Sequence, residues 1–245
     1  MIWNWRILCY HMVDREQRDA FAAQLRWFRG RGHVFTGFRE AFAARKTLLG
    51  PPRITVSFDD ADSTICTVAQ EVLAEEGIKA ILYLTTDYVL RANNYRDTLR
   101  RPTVDWAKLG RWLDAGHEIG GHTHTHADAT QISTAQWQDE LDASRQCIKR
   151  ELGVDVVHFA YPWGRHDKNV QRWFQNQSQW RSAATVNGRG NGPCTNPFTL
   201  GRSSMTAEWD EARMRLLIQP ARVRILNRMV RVLGQTCGKF RPRGK

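Results

Sequence analysis

The stretch Ile54-Thr55-Val56-Ser57-Phe58-Asp59-Asp60 decides the expected fold, because an apolar, β-branched run ends in two adjacent carboxylates. Such a run is typical of a buried strand. Two carboxylates at a buried strand end are costly unless something compensates them. An Asp pair also caps a following helix well. The stretch therefore predicts a buried strand that leads into either a functional site or a helix cap.

Strand-like and helix-like segments alternate on both sides of this stretch. Apolar runs typical of strands lie at 7–10, 80–84, 156–160, 183–186 and, more weakly, 198–200. Segments with helical periodicity lie at 21–28, 68–76, 106–115 and 135–152. The alternation predicts parallel strands with helices packed outside. Because polar clusters follow the strands at their C-terminal ends, where barrel enzymes keep their catalytic groups, we expect a barrel over residues 1–211.

The composition is that of an ordinary globular protein, with 42% hydrophobic and 25% charged residues among 245. There is no run of 18 apolar residues, so we expect no membrane-spanning helix. The five cysteines are scattered without a Cys-x-x-Cys pair, which predicts reduced thiols rather than disulfides or a thiolate zinc site. The N-terminus has no secretory signal pattern, and we therefore expect a cytoplasmic protein. A peripheral location at the inner membrane is the alternative, and it depends on the basic C-terminal segment.

The net charge of +11 is concentrated at the C-terminal end. From Arg213 to Lys245 there are ten Lys or Arg and no Asp or Glu, which leaves 26 basic and 25 acidic residues before them. Apolar residues recur in this segment at helical spacing, at Val223, Leu226, Met229, Val230 and Leu233. A basic amphipathic extension over 212–245 predicts an anionic membrane surface or an acidic polymer as partner. The alternative is a last helix packed on the body. Without a recognised nucleic-acid module, we expect no nucleic acid partner.

The segment His122-Thr123-His124-Thr125-His126 holds three of the eight histidines. Imidazole is the commonest nitrogen ligand of divalent metals. A helical turn would place His122 and His126 on one face, whereas an extended strand would align all three. One Asp of the 59–60 pair and two of these imidazoles would form a facial metal site open to water, with the other Asp free as general base. A solvated polar loop is the alternative.

Aromatic residues follow a later strand in Phe159-Ala160-Tyr161-Pro162-Trp163-Gly164. Aromatic rings beside Pro and Gly form a rigid apolar loop, on which a sugar can stack through its C–H face. The sequence therefore predicts either a sugar-binding surface or an aromatic plug in the core.

These clusters, taken in order, resemble the polysaccharide deacetylase family, the carbohydrate esterases with a NodB-homology domain. Ser57-Phe58-Asp59-Asp60 is similar to the motif T-F-D-D, and residues 122–126 match H-[ST]-x-x-H. Residues 159–164 resemble the third motif, and the likeness runs from about Ile7 to Arg202. The resemblance implies a single-domain, distorted (β/α)7-type barrel. It also implies a metal-dependent hydrolase that removes N-acetyl groups from N-acetylhexosamine residues of a polysaccharide or other glycan.

The resemblance also assigns roles to individual residues. Asp59 is expected to be the general base, and the backbone N–H of Trp163 is expected to stabilise the oxyanion. A divalent metal, most often zinc with Co²⁺, Ni²⁺ or Fe²⁺ as alternatives, is expected on Asp60, His122 and His126. Substrate contacts are expected from Tyr161, Pro162, Trp163, His124 and Arg202.

The segment Leu8-Cys9-Tyr10-His11-Met12-Val13 resembles members that deacetylate poly-N-acetylglucosamine exopolysaccharides. In that branch His11 would be the general acid that protonates the leaving amine, although a buried structural histidine is the alternative. Ala160 stands where many members carry an Arg beside the catalytic carboxylates, and we hypothesise that Arg202 supplies that cation. Other interpretations are a deacetylase of a membrane lipid-linked sugar, a sugar-binding protein with a retained metal site, and an amidase of small non-sugar amides.

Overall fold

The computed structural model describes residues 5–46, 50–91 and 101–218. Within these ranges seven parallel strands form a closed barrel: β1 (Trp5–Tyr10), β3 (Arg53–Asp60), β4 (Ala80–Leu84), β5 (Glu118–Gly121), β6 (His158–Ala160), β7 (Ser182–Val186) and β8 (Leu200–Ser204). The ring closes because β1 pairs with β8 on one side and with β3 on the other. A short strand, β2 (Val34–Phe35), pairs with β3 without entering the ring. The expected (β/α)7-type barrel is confirmed.

Helices connect the strands, as the alternation predicts. They are α1 (Arg18–Arg29), α2 (Phe38–Ala44), α3 (Gln70–Glu75), α4 (Thr86–Leu90), α5 (Trp106–Asp114), α6 (Thr134–Leu152), α7 (Lys168–Gln175) and α8 (Glu211–Ile218). The longest, α6, begins at a capping box in which Ser133 and Gln136 satisfy each other's backbone amides. It ends at Gly153, whose φ of 69° is left-handed. Local sequence signals thus fix both ends of this helix.

Two strands differ from the sequence prediction. The strand expected at 198–200 is wrong, because Pro197–Thr199 form a 3-10 turn and β8 begins only at Leu200. The side chain of Asn196 accepts a hydrogen bond from the Phe198 amide at 2.9 Å, which stabilises that turn. The strand expected at 156–160 is shorter, since β6 begins at His158.

Small residues on the strands make room for large side chains in the barrel core. Trp5, Ile7, Ile81 and Tyr83 are buried against Ala160, Ala184 and Leu200. A Cβ added at Gly120 would lie 2.5 Å from Tyr83 Cδ1 and 2.8 Å from the His158 carbonyl oxygen. Gly120 therefore permits β5 to pass beside a tyrosine ring.

The barrel lies in a compact unit that runs to Glu208, and α8 belongs to a second unit that begins at Trp209. The boundary expected between residues 211 and 212 stays a prediction. The apolar stripe from Val223 to Leu233 lies outside the described residues. Over the ranges that are described, no helix has the length and apolar character needed to cross a membrane.

Candidate active site

Asp59 and Asp60 end β3, and both carboxylates approach the same imidazole. Asp59 Oδ2 lies 3.8 Å and Asp60 Oδ1 lies 3.7 Å from Nε2 of His122. Regular extended backbone would send adjacent side chains to opposite faces. Asp60 instead has a left-handed φ of 76°, which turns its side chain back towards that of Asp59. Both carboxylates therefore reach His122 although they belong to adjacent residues.

Arg202 on β8 lies directly against Asp59. Its two terminal nitrogens donate to the two Asp59 carboxylate oxygens at 2.5 and 2.7 Å. The guanidinium is completely buried and lies over the ring of Tyr83, 5.1 Å from its centroid. The geometry is a bidentate, charge-assisted pair, in which two parallel hydrogen bonds fix the carboxylate plane.

The charge of Arg202 decides the ionisation of Asp59. Burial alone would raise the pKa of Asp59, but the charge of Arg202 and its two hydrogen bonds act in the opposite direction, and the net effect lowers the pKa. The pKa of this carboxyl therefore lies well below its ordinary value. Asp59 is a carboxylate at neutral pH, able to accept hydrogen bonds and protons.

The histidine segment follows β5 as a loop that is neither helical nor extended. Thr123 and His126 each have a φ of 65°, in the left-handed region. Glu140 on α6 holds the middle of the loop, because its Oε2 accepts from the amides of His124 and Thr125 at 2.9 and 2.8 Å. The two periodicities considered from sequence are both wrong, since a loop with two left-handed residues has neither period.

The loop and the end of β3 bring together a set of possible metal ligands. Ligand atoms of Asp60, His122 and His126 all lie within 4.8 Å of one another, and all three residues are buried. Nε2 of His126 lies 3.3 Å and Nε2 of His122 lies 3.7 Å from Asp60 Oδ1. Tetrahedral zinc, with bonds of about 2.0–2.2 Å to nitrogen and oxygen, separates its donors by about 3.4 Å. One carboxylate and two imidazoles at these separations fit a divalent metal with open positions for water.

The tautomer of His122 suits a metal ligand. Its Nδ1 lies 2.7 Å from the carbonyl oxygen of Ala160, which can only accept, so Nδ1 carries the proton. Burial lowers the pKa of His122, although Asp59 and Asp60 oppose this effect. The imidazole is therefore neutral, with the Nε2 lone pair facing Asp60. A backbone contact of this kind fixes the ring of a metal-binding histidine.

The aromatic loop divides between the core and the surface. Tyr161 is completely buried, and its hydroxyl donates to the Phe198 carbonyl oxygen at 3.0 Å. Pro162 is also buried, whereas 55% of Trp163 is exposed. The Trp163 ring lies 4.3 Å from the His126 ring, and its φ of 53° is left-handed. Of these three predicted sugar contacts, Trp163 is the one that lies open to a ligand in this structure.

The remaining predicted residues lie around this centre. His11 is partly exposed, and it has a ligand atom within 4.8 Å of both Asp59 and Cys9. His124 does not join the ligand set; its Nδ1 lies 2.8 Å from Thr86 Oγ1 on α4. The sequence analysis assigned no role to Glu140 or Cys9. The i, i+2 spacing of Cys9 and His11 was a usable signal, because extended backbone would place both side chains on one face.

Comparison with known proteins agrees with these motifs. A family model described as polysaccharide deacetylase matches residues 48–179, more than half of the chain. The chitooligosaccharide deacetylase of Bradyrhizobium sp. (strain ANU 289) is 30% identical over 140 residues, which are 55% of this chain and 58% of that protein. The chain spans less than two thirds of the length of three curated relatives, from 16% to 58%.

Solved structures share the fold over most of the chain. IcaB from Ammonifex degensii has a TM-score of 0.71 at 24% identity, covering 84% of this chain and 93% of that one. The Streptococcus pyogenes deacetylase PplD, solved in complex with acetate, has a TM-score of 0.73 at 18% identity, covering 88% of this chain and 98% of that one. These similarities concern the barrel fold itself.

Proposed function

Because the chain belongs to the polysaccharide deacetylase family, we propose that it hydrolyses the N-acetyl groups of N-acetylhexosamine residues in a polysaccharide or other glycan. The observation that carries this proposal is the convergence of Asp59, Asp60, His122 and His126 in one buried cluster. Amide hydrolysis needs a general base, a group that activates water and a general acid. The ionised carboxylate, the three metal-ligand side chains and the partly exposed imidazole can provide these.

In this mechanism Asp59 is the general base. It takes a proton from the water that attacks the acetyl carbonyl carbon, while Arg202 keeps the carboxylate oriented. Since the pKa of Asp59 lies below its ordinary value, the carboxylate is a weak base. It therefore needs a water molecule whose own pKa is lowered.

The metal ligands account for that requirement. Asp60, His122 and His126 would hold a divalent metal, for which zinc is our proposal from the carboxylate and imidazole donors. When bound, the metal supplies Lewis acidity that acidifies the attacking water and polarises the carbonyl.

His11 and Trp163 act on the other groups of the substrate. We assign His11 the role of general acid, because its partly exposed imidazole lies beside Asp59, where it can protonate the departing amine. The Trp163 amide is assigned to the oxyanion, and its exposed ring to stacking on the sugar. Acetate and a free amino sugar would be the products.

The test is acetate release from N-acetylglucosamine oligomers by chelated protein with zinc or cobalt added back. We expect chelation to abolish release and metal to restore it. Asp59→Asn should lower kcat by about 10²–10⁴-fold with the bound metal retained, which is the loss typical of a missing general base. His126→Ala should lose the metal as well, whereas His33→Gln, on the loop after α1, should retain both. Tight sugar binding without acetate release under any metal would favour a sugar-binding protein instead.

A second candidate is a deacetylase of a lipid-linked sugar at the inner membrane face. The ten basic residues without an acidic one between Arg213 and Lys245 favour it, because such a segment is attracted to anionic lipid. The catalytic chemistry would be the same, and only the carrier of the N-acetylated sugar would differ.

A further inference from the structure

A second group of metal-binding side chains lies beside the first. Cys9 lies next to last in β1, His11 directly follows that strand, and Asp59 lies next to last in the neighbouring strand β3. The strand register pairs Cys9 with Ser57 and Tyr10 with Phe58, so the end of β1 lies beside Asp59. One ligand atom from each of these three residues lies within 4.8 Å of the others.

The spacing of the two buried members already suits a shared zinc ion. The Cys9 thiol donates to Asp59 Oδ2, with Sγ and Oδ2 3.4 Å apart. A tetrahedral zinc with bonds of about 2.3 Å to sulfur and about 2.0 Å to oxygen separates these donors by about 3.5 Å. His11 is the partly exposed member and gives the group access to solvent.

We propose that Cys9, His11 and Asp59 form a second zinc site, which inhibits the enzyme when zinc is in excess. The inhibition rests on the proposed function, because zinc on this site would occupy both the general base and the general acid. A thiolate, an imidazole and a carboxylate together select zinc or cadmium over magnesium or manganese.

This site binds zinc more weakly than the site on Asp60, His122 and His126. Arg202 already occupies both oxygens of Asp59 and brings a positive charge next to any incoming cation. Burial raises the pKa of the Cys9 thiol, so the proton must leave when zinc binds. Zinc coordination displaces that proton to the solvent and leaves a zinc–thiolate bond. The second site therefore fills after the first.

Cobalt(II) is the probe for the site, because a cobalt–thiolate bond gives a charge-transfer absorption in the near ultraviolet that imidazole and carboxylate ligands do not give. Titration of the chelated full chain should show no such band up to one equivalent. The band should then grow with the second equivalent and disappear when zinc is added. The band should be absent from Cys9→Ser and from Cys9→Ala, and it should persist in the control variants Cys194→Ser and Cys237→Ser.

The activity measurement separates this proposal from the proposed function. Excess zinc should inhibit wild-type acetate release, and Cys9→Ser should need at least about tenfold more zinc for the same inhibition. Even the loss of a residue that only orients a metal ligand commonly costs about 10–100-fold in affinity, and Cys9 is a ligand itself. A protein without deacetylase activity that still shows the cobalt band would refute the function and keep the site. Wild-type protein without a thiolate band at excess cobalt, or a band that survives in both Cys9 variants, would overturn the site. Where the Cys9 variants do not fold, wild-type protein without the band still overturns the site. A band that grows only with the second equivalent and persists in Cys194→Ser and Cys237→Ser supports it.

Discussion

At the level of single residues, the Arg202–Asp59 pair sets the pH at which the proposed base is ionised. Arg202→Met would leave Asp59 buried without its cation, and burial then raises the pKa of the carboxyl. We expect the acidic limb of the kcat/KM profile to move to higher pH and activity at neutral pH to fall. The variant should also lose roughly 3–5 kcal/mol of stability, as when one partner of a buried ion pair is removed. Steady-state kinetics across pH and urea denaturation measure both effects.

The sign of the stability change follows from linkage. The folded-state pKa of Asp59 lies below the unfolded value of 3.8, so the pair stabilises the folded protein above that pH. That contribution is lost as pH falls through the folded-state pKa. Arg202→Lys keeps the charge with fewer donors and should lie between wild type and Arg202→Met. Unchanged activity and an unchanged pH profile in Arg202→Met would reject Arg202 as the compensating cation.

At the level of a strand, substitution of Gly120 tests how tightly β5 packs against its neighbours. In Gly120→Ala the new Cβ would lie 2.5 Å from Tyr83 Cδ1 and 2.8 Å from a backbone oxygen of β6, so the sheet must shift. Overpacking of this kind costs about 1–3 kcal/mol. Gly110→Ala, in the middle of α5, is the matched control, because nothing lies within 4 Å of its Cβ. That change should stabilise the protein by up to about 1 kcal/mol through helix propensity. Thermal denaturation that ranks the two variants in the opposite order would refute this account.

His117 lies between α5 and β5, and its side chain is hydrogen-bonded to the start of β4. Titration of this imidazole makes the contact sensitive to pH. Its Nδ1 accepts a hydrogen bond from the Ala80 amide at 3.1 Å, and burial lowers the pKa of His117 to about 4. The unfolded chain takes up a proton below the ordinary value of 6.5, whereas the folded chain resists until about 4. Stability should therefore fall between these pH values, by at most about 1.4 kcal/mol per pH unit from this histidine.

The variant His117→Asn separates that titration from the hydrogen bond. The Asn side-chain oxygen can accept from the Ala80 amide but does not titrate in this range. Urea denaturation between pH 7 and pH 4 should give a shallower loss of stability for His117→Asn than for wild type. Parallel curves for the two proteins would show that His117 does not contribute to the pH dependence.

The sequence predicts elements best where one local signal fixes them. The apolar run of β4 at Ala80–Leu84 and the capped, Gly-terminated α6 both lie where the pattern places them. The short helix α7 was missed because its eight residues are fewer than the window of about 11–18 residues over which helical periodicity is judged. A polar loop was the alternative for the histidine segment, but its shape was not predicted, since it depends on the contact with Glu140 on α6. Local patterns specify elements, whereas the loop shapes at the site depend on tertiary contacts.

For the whole molecule, order along the chain predicts the barrel but not the pairing that closes it. Alternating segments imply parallel neighbours, yet only the β1–β3 register shows that the ring is shut. Closure is what brings Arg202 on β8 next to β1 and β3, so the contact between Arg202 and Asp59 follows from topology. Arg202 was expected to replace the arginine missing at Ala160, and its position on β8, next to β1, gives that hypothesis a geometric basis.

For the whole chain, we expect the charge of the basic C-terminal segment to decide binding to anionic membranes. Ten basic residues lie between Arg213 and Lys245, counting both ends, and deletion of residues 221–245 removes eight of them. Binding to vesicles with anionic lipid should therefore be lost. Each basic residue near an anionic surface contributes about 1 kcal/mol, and salt screens this attraction. Replacement of Arg222, Arg224, Arg228 and Arg231 by Gln should therefore weaken sedimentation with anionic vesicles steeply, and high salt should weaken the wild type similarly. Neither the wild type nor the variants should bind neutral vesicles.

Acetate release from soluble oligomers should be unchanged by the deletion, because the proposed catalytic groups lie between His11 and Arg202. Equal vesicle binding by the full and the shortened chains would reject the membrane partner, and with it the main support for a lipid-linked substrate.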